Sequence, residues 1–256
     1  MTHARKNPEL SRRAILDAAA SEFANQGLAG ARIDAIAGAA GVNKALLYYY
    51  FQDKENLYGS ALEHTFRGLL EELVRILDTD RPVGYKILAY ALTHFNYVAA
   101  HPHYRRLVQH EMMRAGAGQT HHFEKLVRTF FRPLLQRLTE VLQAGIAKGE
   151  FQRIEPFQFV NSMIAVVVFY FTSVPVTRAV GGFDPLSPAA LDRRRRAMLD
   201  FIAGALLVSH AHAARVVDEV LDNIPRTAAS KKEEARSRQR IPQQSSTPRR
   251  RKKEVR

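Results

Sequence analysis

The sequence predicts an all-α fold of about nine helices. Nearly every segment between Gly and Pro breakers repeats its apolar residues at three- and four-residue spacing, and no segment alternates at period two for long. The chain has 256 residues of which 46% are apolar, enough to bury a sizeable core.

The helices can be placed in order. Asn7, Pro8 and Glu9 make a cap and a first turn, Ile15, Ala19 and Phe23 form an inner stripe, and Gly27 ends the helix. A short helix is expected over residues 32–40, burying Ile33, Ile36, Ala37 and Ala40; Gly41 and Val42 turn the chain. Asn43 caps a second short helix and Asp53 a long one to about Leu77. Asp80 and Pro82 open a helix that Pro102 stops, and another covers about 103–114 before the loop AGAGQT. Residues 121–148 read as helical with a kink or restart at Pro133. Pro156 opens an uncharged helix with Pro175 near its end, and Ser187 with Pro188 opens a last one to about His212, extendable to Leu221.

Charge and composition exclude several classes. Without Cys there is no disulfide framework, thiolate nucleophile or Cys-ligated zinc, and a cytoplasmic location is expected. Of the net +13, residues 226–256 supply 12 Lys/Arg against 3 Asp/Glu and almost no large apolar side chains, so this segment is expected to be a disordered basic tail. Residues 156–177 carry no formal charge, yet their unbroken apolar run, Met163 to Phe171, is nine residues against the roughly 20 a bilayer needs. A buried helix is expected there, and no membrane partner.

Residues 32–51 have the spacing of a helix-turn-helix. Ile36, Ala40, Val42, Leu47 and Phe51 brace the unit, leaving Lys44, Ala45, Leu46, Tyr48 and Tyr49 outward and Tyr50 to one side. A groove-facing Lys can donate to guanine, small apolar side chains can meet thymine methyl groups, and tyrosine hydroxyls can reach phosphate. Two short helices with a Gly turn also occur in helical domains that bind no DNA. The string IAGAAGVNKALLYYYFQDKENLYGSAL closely resembles the signature of TetR-family transcriptional regulators through Ile36, Ala37, Ala40, Gly41, Val42, Tyr48, Phe51, Lys54 and Leu57.

This resemblance covers about residues 8–60. It implies a helix-turn-helix DNA-binding domain over 1–54, a helical ligand-binding and dimerisation domain over 55–225, and the basic tail beyond. Its implied DNA-binding residues are Arg32, Asn43, Lys44, Ala45, Leu46, Tyr48, Tyr49, Tyr50 and Lys54: Lys44, Ala45 and Leu46 toward base edges, Tyr48 and Tyr50 at or beside phosphates, Lys54 and Arg32 on the backbone. The family's usual Thr or Ser near Ala31 and Arg32 is missing, which weakens that cap by roughly 1 kcal/mol. Tyr50 stands where histidine is commoner.

Beyond residue 60 the likeness is architectural. It implies a small-molecule effector and a homodimer formed by the last two core helices, with Phe159, Met163, Val167, Phe201, Ala205 and Leu206 as interface candidates, each equally a core residue. Phe95, Tyr104, Glu111, Met112, Phe130 and Tyr170 are candidates to line an effector cavity for a bulky, largely apolar ligand, core packing being the competing account. The ten histidines lack metal-ligand spacing, so no metal, cofactor or catalytic residue is expected. The implied function is a repressor released from a palindromic operator by a small ligand. The alternatives are a constitutive or architectural DNA-binding protein, and a helical enzyme with an attached DNA-binding domain.

Overall fold

A computed structural model describes residues 8–119 and 121–226, so Asn7 and nearly all of the basic tail lie outside the described residues. The described residues are helical almost throughout: α1 (Pro8–Gly30), α2 (Ile33–Ala40), α3 (Lys44–Phe51), α4 (Lys54–Leu77), α5 (Val83–Ala100), α6 (Pro102–Gly116), α7 (His121–Leu126), a π-helical turn (Val127–Phe131), α8 (Arg132–Ala147), α9 (Pro156–Thr172), α10 (Val174–Gly181), α11 (Pro188–Leu206) and α12 (His210–Asn223). Among the described residues the one β-type pairing is an isolated antiparallel bridge between Phe151 and Leu207.

Helix α1 breaks at Gly27, whose φ of 65° suits a residue without Cβ. It packs on α2, α4 and α6, so the N-terminal helices share one apolar core with the rest of residues 8–224. Helix α5 is the axis of the larger half. Fourteen of its 18 residues are buried, because α4, α8, α9, α11 and α12 surround it. A helix apolar all round needs such neighbours.

Two breaks raise the helix count among the described residues from about nine to eleven, taking α7, the π turn and α8 as one rod. The expected kink near Pro133 is this π turn, which widens the helix just ahead of a residue that cannot donate an i→i−4 bond. The uncharged helix ends at Thr172 and restarts as α10, bent by 64°, with Pro175 in the new first turn. The last helix breaks at Leu207, where the chain turns extended to pair with Phe151; Ser209 then caps α12 by accepting the His212 N–H at 3.3 Å. No single helix among the described residues is long and apolar enough to cross a membrane.

Candidate functional site

Local chemistry builds the α2–α3 unit. Gly41, at φ 63° and ψ 36°, closes α2 with the Gly41 N–H on the Gly38 carbonyl at 3.1 Å and the Val42 N–H on the Ala37 carbonyl at 3.0 Å. Arg32 precedes α2 without a side-chain cap, and its own N–H donates to Glu22 Oε1 at 3.1 Å. The Asn43 carboxamide starts α3 by accepting the Leu46 N–H at 2.7 Å. Asp53 starts α4 likewise, accepting from the Asn56 backbone at 2.7 Å and its side-chain amide at 2.8 Å.

Between α3 and α4 the chain makes a γ-turn centred on Gln52, whose φ of 66° and ψ of −55° are strained for a residue with a Cβ. The Asp53 N–H reaches the Phe51 carbonyl at 2.7 Å across it. That joint sets the angle of α3 against α4.

The brace is as expected: Ile36, Leu47 and Phe51 are buried and Ala40 and Val42 half-buried. Lys44, Ala45, Tyr48 and Tyr49 are exposed, Tyr49 to 79%, while Leu46 and Tyr50 are half-buried. Lys44 Nζ lies 3.1 Å from Asp34 on α2 with both side chains at least half exposed, so exchanging that partner for a base acceptor costs at most about 1 kcal/mol. The Tyr50 hydroxyl donates to the Pro8 carbonyl at 3.4 Å. Lys54 donates to the Ala29 carbonyl at 3.0 Å, so it struts α4 against the end of α1.

The α4 segment that follows is gripped by the larger half through polar groups, of which the sequence pointed to Glu111 alone, and as an effector candidate. The buried Glu111 carboxylate on α6 accepts the Tyr58 hydroxyl at 2.9 Å and lies 3.6 Å from Arg114 Nε. Arg114 also donates to Glu55 at 3.2 Å, and His122 Nε2 meets the same Glu55 oxygen at 3.0 Å. The His122 ring lies where a Cβ on Gly59 would come within 2.8 Å, so only glycine admits it. Buried next to Glu111, the Tyr58 phenol is held far above its ordinary pKa, chiefly by desolvation and then by the carboxylate. An open cleft of about 550 Å³ lies alongside, lined by Glu55, Arg114, Gly118, Gln119, His121 and His122.

The six effector candidates are not brought to one place. Tyr104 and Phe130 meet through Phe66, edge-on at 5.3 Å and stacked at 6.4 Å. Phe95 lies instead with Tyr170 at 5.9 Å and Phe171 at 4.9 Å, and the half-buried Tyr170 donates its hydroxyl to the Pro185 carbonyl at 2.6 Å. Glu111 belongs to the α4 grip. Met112 is 57% exposed: α6 buries Tyr104, Leu107 and Glu111, and the next residue is turned about 100° out of that stripe.

The interface candidates divide similarly. Met163, Val167 and Leu206 are corrected to core residues, at most 2% exposed. Phe159 is half-buried against the core, whereas Phe201 and Ala205 are exposed. Phe157 and Phe169 on α9 and Val208 just past α11 are exposed too, which the sequence did not indicate because a helix apolar on several sides gives no phase.

His94 on α5, one of the histidines without metal-ligand spacing, is buried. It is 5% exposed, with neither ring nitrogen hydrogen-bonded among the described residues, and desolvation pushes its imidazole down to about 4.

Comparison with known proteins matches both halves. Residues 15–61 fit the family model for bacterial regulatory proteins of the tetR family, and residues 87–202 that for the tetracyclin repressor-like C-terminal domain. The HTH-type transcriptional repressor SCO4008 of Streptomyces coelicolor is 37% identical over 122 residues, 46% of this chain and 58% of that protein. The chain thus spans less than two thirds of that relative. The HTH-type transcriptional repressor NicS of Pseudomonas putida is 28% identical over 163 residues, covering 62% and 74%. Among solved structures, a transcriptional regulator of S. coelicolor, SCO4942, superposes with a TM-score of 0.60 at 23% identity, covering 77% of this chain and 98% of that one. The ketosteroid transcriptional regulator KstR2 of Mycobacterium tuberculosis gives 0.60 at 19%, covering 82% and 98%. With a braced, outward-facing α3 on an all-helical body and both family models matched along it, the chain belongs to the TetR family of transcriptional regulators.

Proposed function

We propose that this chain is a cytoplasmic homodimeric repressor whose two α3 helices read a near-palindromic operator, and that a small, largely apolar molecule held by the C-terminal helices releases it. The observation that carries the reading is the exposed face of α3, where Lys44, Ala45, Tyr48 and Tyr49 stand clear of a brace that holds them in fixed register. Lys44 reads a base edge, Ala45 and Leu46 line the groove, and Asn43, Tyr48, Tyr49, Tyr50 and Arg32 lie at or near the phosphates. Lys54 serves phosphate recognition by holding α4 to α1. The repressor names of the two curated relatives support repression.

One α3 spans too few base pairs for operator-grade specificity, so a second copy is required. Phe169 on α9 and Phe201 with Ala205 on α11 supply an apolar face for an isologous pair. For the effector site, Tyr104 and Phe130 with Phe66 supply apolar wall, Phe95 and Tyr170 form a separate aromatic cluster, and Glu111 joins that half to α4. Ligand release requires that the effector bind the DNA-incompetent state more tightly than the competent one.

Selection of fragments from genomic DNA by the full chain tests the reading. Two half-sites related by a dyad, about one helical turn apart, are expected. Recovery of fragments with no shared sequence overturns it in favour of the architectural alternative.

The basic tail adds a sequence-independent term. Each phosphate it neutralises adds about 0.9 to the slope of log affinity against log salt. Deleting residues 226–256 is therefore expected to flatten that slope by about 3 while leaving the ranking of operator sequences unchanged. Equal slopes for the two proteins, measured on one operator, show that the tail touches no DNA.

A further inference from the structure

His94 sits in the middle of α5, on one stripe with Tyr90 and Tyr97 at four- and three-residue spacing. The Tyr90 ring lies edge-on to it at 6.2 Å. Tyr97 meets Tyr104 at 5.5 Å, Tyr104 meets Phe66 at 5.3 Å, and Phe66 packs on Phe130 and Phe131 of the π turn. Tyr90 is thus the ring set against the imidazole, and Tyr104, which lies close enough to Tyr90 and Tyr97 to interact with both, joins it to the aromatic cluster of α4, α6 and the π turn. Both imidazole nitrogens, and the adjacent Thr93 hydroxyl, are buried without hydrogen-bond partners.

An unpaired polar group at such depth is strongly unfavourable, and most buried polar atoms in native proteins have partners. Leucine would fill the place without that cost. The polar atoms therefore call for a partner that arrives from outside the chain. The π turn adds a second, independent pointer. Such turns recur at functional sites, and this one contributes Phe130 and Phe131, rings that a modest change of helical register would move aside.

We propose that His94 is the polar recognition point of the effector site, offering one N–H and one lone pair to a hydroxyl or amide on a flat, otherwise apolar molecule seated among Tyr90, Tyr104, Phe66 and Phe130. This rests on the reading that the C-terminal helices hold an effector, and adds its chemical class: an uncharged hydrogen-bonding aromatic or alicyclic compound. An anion is disfavoured because a buried neutral imidazole supplies no compensating charge. Binding inserts a partner for His94 and displaces the π-turn rings, moving the wall that α4 and α6 share.

Four probes of similar size test this on the full chain: phenol, benzamide, toluene and benzoate. Titration followed by thermal melting and by ¹⁵N spectra of the histidine rings is expected to show phenol and benzamide binding at least tenfold tighter than toluene, with His94 fixed in one tautomer and benzoate not binding. In His94→Leu, toluene binding is expected to persist and the preference for phenol to vanish, while the ligand-free variant melts above wild type. His94→Gln, which keeps a donor and an acceptor, retains part of the preference. Toluene and phenol binding equally to wild type, or an unchanged preference in His94→Leu, overturns the role of His94 and leaves the effector site standing. Failure of all four probes overturns the apolar site itself, and His94 with it. A ligand-free His94→Leu that melts below wild type makes His94 structural.

Discussion

Phe201→Glu combined with Phe169→Glu is expected to make the protein monomeric at micromolar concentration and to lower operator affinity by more than a hundredfold. Both rings are exposed in the single chain, Phe201 to 63% and Phe169 to 68%, so the carboxylates remain solvated there and cost the monomer little. Across a two-fold axis each substitution counts twice, placing four like charges in the apolar centre of the contact. Truncating one central aromatic typically costs 2 kcal/mol or more, and desolvating charge adds to that. Sedimentation checks the mass, and melting of the variant near the wild-type temperature shows that the fold is intact. A variant that remains dimeric shifts the interface away from this face.

Acid should destabilise the protein through His94. Its pKa is about 4 in the folded chain and near 6.5 when unfolded. Between those values the unfolded chain binds a proton that the native state excludes, so stability rises with pH across the window. The contribution is complete above pH 6.5 and is lost as pH falls through 4, amounting to on the order of 3 kcal/mol for a shift of this size. Urea unfolding at pH 7 and pH 4 is expected to show this loss in wild type, and a smaller loss by about that amount in His94→Leu. Parallel losses in the two proteins would mean that the imidazole titrates normally and is not buried as described.

The helix-turn-helix was legible because its determinants are local. Asn43 and Asp53 cap with their own side chains, and Gly41 supplies the left-handed residue the turn needs. The larger half was legible only in outline. The break between α11 and α12 follows from the bridge of Leu207 to Phe151, a contact across more than fifty residues that no local pattern around Leu207 specifies. In α9 the apolar residues encircle the helix, so sequence alone left Met163 and Val167 equally open to a partner and to the core, and they face the chain's own core. Met112 is exposed because it stands one position, about 100° on a helix, past the buried Glu111. His94 could have been noticed as the polar member of the Tyr90–His94–Tyr97 stripe, but burial without partners is a property of the packed neighbours.

Base selection by single-residue variants tests most directly the claim that α3 reads DNA sequence. Randomised duplexes are selected with wild type, Lys44→Ala and Lys54→Ala under one salt condition. Lys44→Ala is expected to relax preference at one position in each half-site, at a cost of about 1–3 kcal/mol, because its ammonium meets a base edge. Lys54→Ala is expected to weaken all sequences alike, since Lys54 holds α4 to the Ala29 carbonyl and its proposed role is toward phosphate, which carries no base identity. A Lys44→Ala profile with every base preference intact, or a changed preference in Lys54→Ala, would contradict the account.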